Sequence, residues 1–133
     1  MSSSWLLDTN ILLAAVIAPE RLPAEVAELL RDPGSTIFFS AASIWEVSVK
    51  RSLNRENFDF LPEDIHELAL ETGFVELPVH AQHCYPVARL PWHHRDPFDR
   101  LLIAQAQTLP ARLLTADAVL PNYSELVTLV TLR

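Results

Sequence analysis

At 133 residues, half of them hydrophobic and only 20% charged, the chain has the size and apolar content of one folded domain, which excludes wholesale disorder. Its formal net charge of −7, from 17 acidic and 10 basic residues, argues against indiscriminate nucleic-acid binding, which depends on neutralising phosphates with Lys and Arg. Cys84 is the only cysteine, which rules out an intrachain disulfide, and the longest apolar run, residues 11–18, is far short of the roughly 20 residues that cross a bilayer.

The N-terminal "MSSSWLLDTN" carries no basic segment of the secretory type, so the expected location is the cytoplasm. Along the chain, "WLLD" is a short apolar strand ending at Asp8, and "NILLAAVIA" has the length of a helix. Pro23 opens a second helix, "AEVAELLRD", which stops before Pro33-Gly34. "STIFFS" is a β-branched and aromatic strand, followed by the serine-led helix "SAASIWEVSVKRSL". "LPEDIHELALETG" is a helix with Pro62 near its start and Gly73 past its end. "FVELP" predicts a strand, "HAQHCYPVARL" a helix interrupted by Pro86, and "DPFDRLLIAQAQT" the best-formed helix of the chain. "ARLLT" and "LVTLV" supply two last strands. No repeat, linker or low-complexity tract divides the sequence, so residues 1–133 read as a single domain.

Strands alternating with helices imply a mainly parallel sheet with helices on both faces, and such sheets bind ligands beyond the carboxyl ends of their strands. Asp8 ends the first strand, Asp117 follows "RLLT", and Glu46 and Asp99 lie in the opening turns of two helices. All four acids therefore map to the edge where the fold places its site. Glycine-rich phosphate cradles are absent, because Gly34 and Gly73 are the only glycines and neither has the required context.

Each acid also has a capping explanation. Asp96, Pro97 and Asp99 have the form of a helix start, Ser43 and Glu46 have capping-box spacing, Asp117 suits a short turn, and Asp8 suits a helix beginning near Asn10. Asp99 strains that explanation, since on a helix it shares a face with Leu102, Ile103 and Ala106. Asp8 strains it more, because it sits between apolar runs and burying an unpaired carboxylate is costly. Converging carboxylates would repel one another, and an all-oxygen set suits a hard cation, Mg²⁺ or Mn²⁺. Such a site points to metal-dependent phosphodiester hydrolysis.

The segments "LLDTNILLAAV", "SAASIWEVSVKRSL", "HHRDPFDRLLIAQA" and "LLTADAVL", in this order, resemble those of PIN-domain proteins. More closely, they are similar to the VapC-type ribonuclease toxins of bacterial toxin–antitoxin pairs, over roughly Leu6 to Leu129. The resemblance implies an α/β/α sandwich, an acidic quartet of Asp8, Glu46, Asp99 and Asp117, and principal metal ligation by Asp8 and Asp99. Glu46 and Asp117 would complete the site, directly or through water, with Asn10, Ser43 and Thr115 orienting the acids and Asp96 capping a helix as a fifth acid. It also implies an RNA substrate, a cognate antitoxin and a homodimer.

His93, His94, Arg95 and Arg100 surround Asp96 and Asp99 and are candidates for RNA contacts or for ion pairs with the acids; Lys50, Arg51 and Arg55 form a second basic patch. His80, His83 and Cys84 have helical spacing but lack a fourth ligand, so they read as an ordinary helix face. Trp45 is expected in the core, and Trp92 is the better candidate for base stacking. The acidic "PEDIHELALE" presents a solvated face, with Ile65, Leu68 and Ala69 on its apolar side.

Two other classes stay open. An aspartyl phosphoacceptor would use Asp8 as nucleophile, but no second acid follows "LLD" two residues on and Lys50 is the only lysine. A binding module would use the acidic pocket to hold a partner's arginine.

Overall fold

The apolar runs become five strands: β1 (Ser3–Leu7), β2 (Ser35–Ser40), β3 (Val75–Leu77), β4 (Arg112–Thr115) and β5 (Val127–Leu129). The computed structural model describes residues 3–54 and 57–133, so Arg55 of the second basic patch lies outside the described residues. The strands form one sheet in the order β3-β2-β1-β4-β5, and every ladder in it is parallel. Among the described residues, six α-helices cover it: α1 (Thr9–Ile17), α2 (Ala24–Arg31), α3 (Ala41–Ser52), α4 (Pro62–Glu71), α5 (Ala81–Cys84) and α6 (Pro97–Thr108). Gly73 ends α4 at φ +95°, a backbone conformation that a side chain would strain.

Alternation along β1 and β4 divides the core in two. Leu7 and Leu114 pack on one face with Ile11, Leu12, Val26, Val47, Ile65 and Ala69, contributed by α1 to α4. Leu6 and Leu113 face the other way, onto Leu102, Ile103 and Ala106 of α6. The three layers are therefore helix, sheet and helix, as the alternation of elements predicts.

The stretch "HAQHCYPVARL" departs from expectation. Only Ala81–Cys84 is α-helical, and Tyr85–Arg89 tightens into a 3₁₀ turn. Pro86 has no N–H to continue the α-helical ladder, which is why the segment cannot run on as one helix.

The register fixes the site. Leu6 pairs with Phe38 and Leu113, and Leu7 with Phe39 and Leu114. One residue further along, Asp8, Ser40 and Thr115 stand side by side at the carboxyl edge. The central strand β1 sends its chain to α1 on one face, while α6 returns to β4 on the other. Asp8 thus sits at the point where the strand order reverses, the crevice position of open α/β sheets.

Candidate active site

Asp8 combines two roles. It is the N-cap of α1, its Oδ1 accepting the Ile11 N–H at 2.8 Å, and it is buried at 3% exposure. Its Oδ2 accepts the Thr115 hydroxyl at 2.5 Å and the Ala116 N–H at 3.4 Å. Thr115 in turn accepts the Asp117 N–H at 3.0 Å, so one buried hydroxyl ties the two acidic positions together. Burial pushes the Asp8 carboxyl up from 3.8 to about 6 against the pull of these donors, with Glu46 adding repulsion.

Glu46 is held by α1 rather than by its own helix start. The N-cap of α3 is Ser40, whose hydroxyl oxygen accepts the Ala42 N–H at 3.0 Å, so the capping box expected for Ser43 and Glu46 does not form. Both instead turn inward, where Thr9 Oγ1 lies 2.6 Å from Glu46 Oε1 and 2.9 Å from Ser43 Oγ. With one proton to give, Thr9 serves the carboxylate best as donor and accepts from Ser43. Lys50 Nζ closes the other side at 2.7 Å from Glu46 Oε2, one helical turn on, so its charge is spent on the acid. Asn10 was the expected orienting residue, but it is exposed and has no hydrogen bond to the acids among the described residues; Thr9 takes that place. The signal was available: with Asp8 as cap, Thr9 becomes the first helical residue.

The start of α6 carries the rest. Asp96 caps it through Oδ1, accepting the N–H groups of Phe98 at 2.8 Å and Asp99 at 3.3 Å. Burial, followed by the charges of Asp96, Asp8 and Glu46, raises Asp99 from 3.8 to about 7, partly offset by His94. Those repulsions place Asp8, Glu46 and Asp99 in one field. Asp117 Oδ1 also caps its own turn through the Val119 N–H at 2.9 Å, while its Oδ2 lies 2.8 Å from His94 Nε2.

His94 bridges the acids, its Nε2 also 3.1 Å from Asp99 Oδ2. His94, Asp99 and Asp117 have donor atoms close enough to share a metal ion. The other ring nitrogen argues for a different role. Nδ1 accepts the backbone N–H groups of Arg95 at 2.9 Å and Asp96 at 3.3 Å, so in the neutral ring the proton belongs on Nε2. An Nε2–H donates to carboxylates and has no lone pair for a cation. His94 is accordingly a clamp between two acids.

Arg100, expected among the RNA contacts, is buried. Its two terminal nitrogens donate to the carbonyls of Val87, Leu90, Pro91 and His94 and to the Tyr123 hydroxyl. Its guanidinium also lies 3.9 Å from the centre of the Trp92 ring. It is a latch on the loop before α6, its terminal nitrogens taken up by carbonyls and a hydroxyl. Arg95 is exposed, and His93 packs edge-on against Tyr123 at 4.9 Å. Trp45 contradicts expectation most directly: it is 61% exposed, outside the core. His83 packs against Gln105 at 3.3 Å and Cys84 is exposed, and the two belong to no metal-ligating group among the described residues.

The residues present fit a divalent cation. The donors are carboxylate oxygens, and two of these groups carry raised pKa values from burial and mutual repulsion, a strain that a cation between them would relieve.

An all-parallel α/β sheet with carboxylates gathered at its switch point defines a class of acidic-site α/β domains. Within that class, the PIN-domain family profile matches residues 5–126, and the chain belongs to the PIN-domain family. No curated protein matches it in sequence. Among solved structures it is similar to VapBC2 from Rickettsia felis bound to a promoter DNA fragment, with a TM-score of 0.71 at 16% identity, covering 96% of this chain and 98% of that one. VapBC-1 from nontypeable Haemophilus influenzae gives 0.60 at 18%, covering 95% and 97%. A toxin–antitoxin complex from Klebsiella pneumoniae gives 0.61 at 22%, covering 92% and 94%. At these identities the likeness is one of fold. Among the described residues, no helix is long and apolar enough to cross a membrane.

Proposed function

We propose that the chain, residues 1–133 as one domain, is an Mg²⁺- or Mn²⁺-dependent endoribonuclease of the VapC toxin type, neutralised by a cognate antitoxin and acting as a homodimer in the cytoplasm. The observation that carries this reading is the gathering of Asp8, Glu46 and Asp99 in one field, with Asp117 tied to Asp8 through Thr115 and to Asp99 through His94. Asp8 and Asp99 would hold the cation, with Glu46 and Asp117 completing its surroundings directly or through water. When bound, the cation supplies an activated water and neutralises charge building on the phosphodiester.

The chain's own residues do the rest. Ile11 N–H and Thr115 aim Asp8, Thr9 and Lys50 fix Glu46, and Asp96 sets the start of α6 so that Asp99 faces inward. Arg95 is exposed on the loop before α6, where it would meet phosphate. A furrow along α1 and α4 supports the antitoxin reading. It runs from Leu13 on α1 past Ile17 and Phe60 to Asp64, Glu67 and Glu71, with an apolar floor and an acidic rim that suit a basic amphipathic segment.

The test is cleavage of a labelled total RNA pool by the antitoxin-free chain, with and without Mg²⁺ or Mn²⁺, beside Asp8→Asn and Asp99→Asn. Discrete cuts are expected only with metal, and each variant should lose at least on the order of a thousandfold in rate. Both variants should fold, since Asn at position 8 still accepts the Ile11 N–H. Cutting without metal, or cutting retained by both variants, would sink the mechanism.

A further inference from the structure

We infer that Trp45 and Phe98 form a stacking platform for an unpaired nucleobase of the substrate strand, next to the phosphate that the acids engage. This rests on the ribonuclease reading and extends it to how the RNA is gripped. The two rings meet edge to face, with centres 4.9 Å apart and planes at 72°. Each aromatic is the chain neighbour of an acid: Trp45 precedes Glu46 on α3, and Phe98 precedes Asp99 on α6. One step along a helix turns a side chain by about 100°. While Glu46 points into the site, Trp45 therefore leans across the gap between α3 and α6, spanning the same two helix starts that carry the acids.

Exposure and geometry both suit a base. Trp45 is 61% exposed, a large apolar surface at the mouth of a polar site. In an edge-to-face pair, one ring keeps both faces open and the other keeps one, so an aromatic face remains for a third ring. Trp92 is more exposed at 76%, but Arg100 already lies over its face, which assigns that indole to the latch.

Charge gives a second reason. The chain carries −7 overall, and Lys50 and Arg100 are already committed to Glu46 and to loop carbonyls. With these two cations beside the acids withdrawn from phosphate and the chain acidic overall, uncharged stacking supplies a larger share of the grip there. Single-stranded RNA, whose splayed bases stack on aromatic side chains, is the substrate form this arrangement takes.

The test measures binding of fluorescein-labelled, mixed-sequence single-stranded oligoribonucleotides to the full, antitoxin-free chain in Ca²⁺, with intactness checked on gels. Trp45→Ala and Trp45→Phe are compared with wild type, and abasic sites are walked along the strand. Trp45→Ala should weaken binding about tenfold with little change in its salt dependence, while Trp45→Phe stays within about twofold. In wild type, an abasic site at one position should cost about as much, and in Trp45→Ala that same site should cost little more. Unchanged melting temperatures establish that both variants are folded, as expected for an exposed side chain. Light scattering supplies the mass of each variant. Unchanged affinity in Trp45→Ala overturns the platform, and a fall in mass alongside it would assign the indole to a contact between copies. A loss of affinity that no abasic site reproduces in wild type also overturns it. Wild type that neither binds nor cuts RNA in Mn²⁺ would fail the ribonuclease reading itself.

Discussion

The two halves of the site are built differently. Asp8, Thr9, Ser43, Glu46 and Thr115 are all buried, and the two acids among them are held by hydroxyls and backbone N–H groups, with Lys50 the only cation paired to them among the described residues. Asp99, Asp117 and His94 are wetter, with side chains 17%, 34% and 25% exposed, and two of them sit on loops. The first half is a dry frame set by strand register and two helix starts. The second depends on a loop that one arginine ties down. Precision at the site therefore has two sources, and they should fail independently.

The largest effect is expected at the latch. Arg100→Met keeps the aliphatic packing but leaves the carbonyls of Val87, Leu90 and Pro91 without their donor. Losing a charged donor to several buried acceptors should cost about 3 kcal/mol, read as a lower urea midpoint at unchanged slope. Arg100→Lys should recover little, because one ammonium cannot serve acceptors in two directions as the guanidinium fork does. Activity and metal affinity should both fall as the wet half loosens, because Asp99 shares the cation with Asp8, while the hydrogen bonds that hold Asp8 stay in place. Full stability in Arg100→Met would mean the loop supports itself.

Arg100 also marks where reading the sequence stopped. Its neighbours Asp99 and Leu102 announced a buried face, and Leu102, Ile103 and Ala106 do fill the core. Nothing local, however, connects an arginine to carbonyls nine to thirteen residues upstream in a loop of no regular pattern. The strands were legible because parallel strands buried on both faces are continuous apolar runs. The N-cap of α3 was not, because Ser40 and Ser43 compete for it and the choice depends on where β2 ends, a matter of its pairing with β3. Trp45 misled for a related reason. Helical periodicity assumes apolar residues mark the inner face, yet the inner face of α3 carries Ser43 and Glu46, and the indole is left outside. Buried acids that serve chemistry invert the pattern from which a core is read.

A middle-sized effect should appear with pH. Asp8 and Asp99 have native carboxyl values of about 6 and about 7 against an ordinary 3.8, so between pH 4 and 7 the native chain binds more protons than the unfolded one. Stability from these groups is present in full below about pH 4 and is lost as pH rises through 6 and 7. Without metal, the melting temperature should fall across that window by an amount worth a few kcal/mol, of which the buried Asp8 alone supplies about 3 kcal/mol. A divalent cation requires both groups ionised, so Mn²⁺ should raise the melting temperature more at pH 8 than at pH 5. A metal effect independent of pH would place the ion away from these two acids.

The smallest effect sharpens the contrast within the dry half. Thr115→Val is nearly isosteric and removes the hydroxyl that donates to Asp8 and receives the Asp117 N–H. Because that hydroxyl pulls the Asp8 carboxyl down, its loss should move Asp8 still higher. The cost should be about 1 kcal/mol at pH 8, and smaller at pH 5 where a protonated Asp8 needs no donor. Thr9→Val removes the matching contact to Glu46, but there Lys50 remains on the other oxygen. Metal affinity at pH 8 should therefore drop about tenfold in Thr115→Val and by less in Thr9→Val. Calorimetric titration of Mn²⁺ into the two variants separates them. Equal losses would mean that the lysine does not compensate for the threonine, and that Glu46 is held as tightly by α1 as Asp8 is by β4.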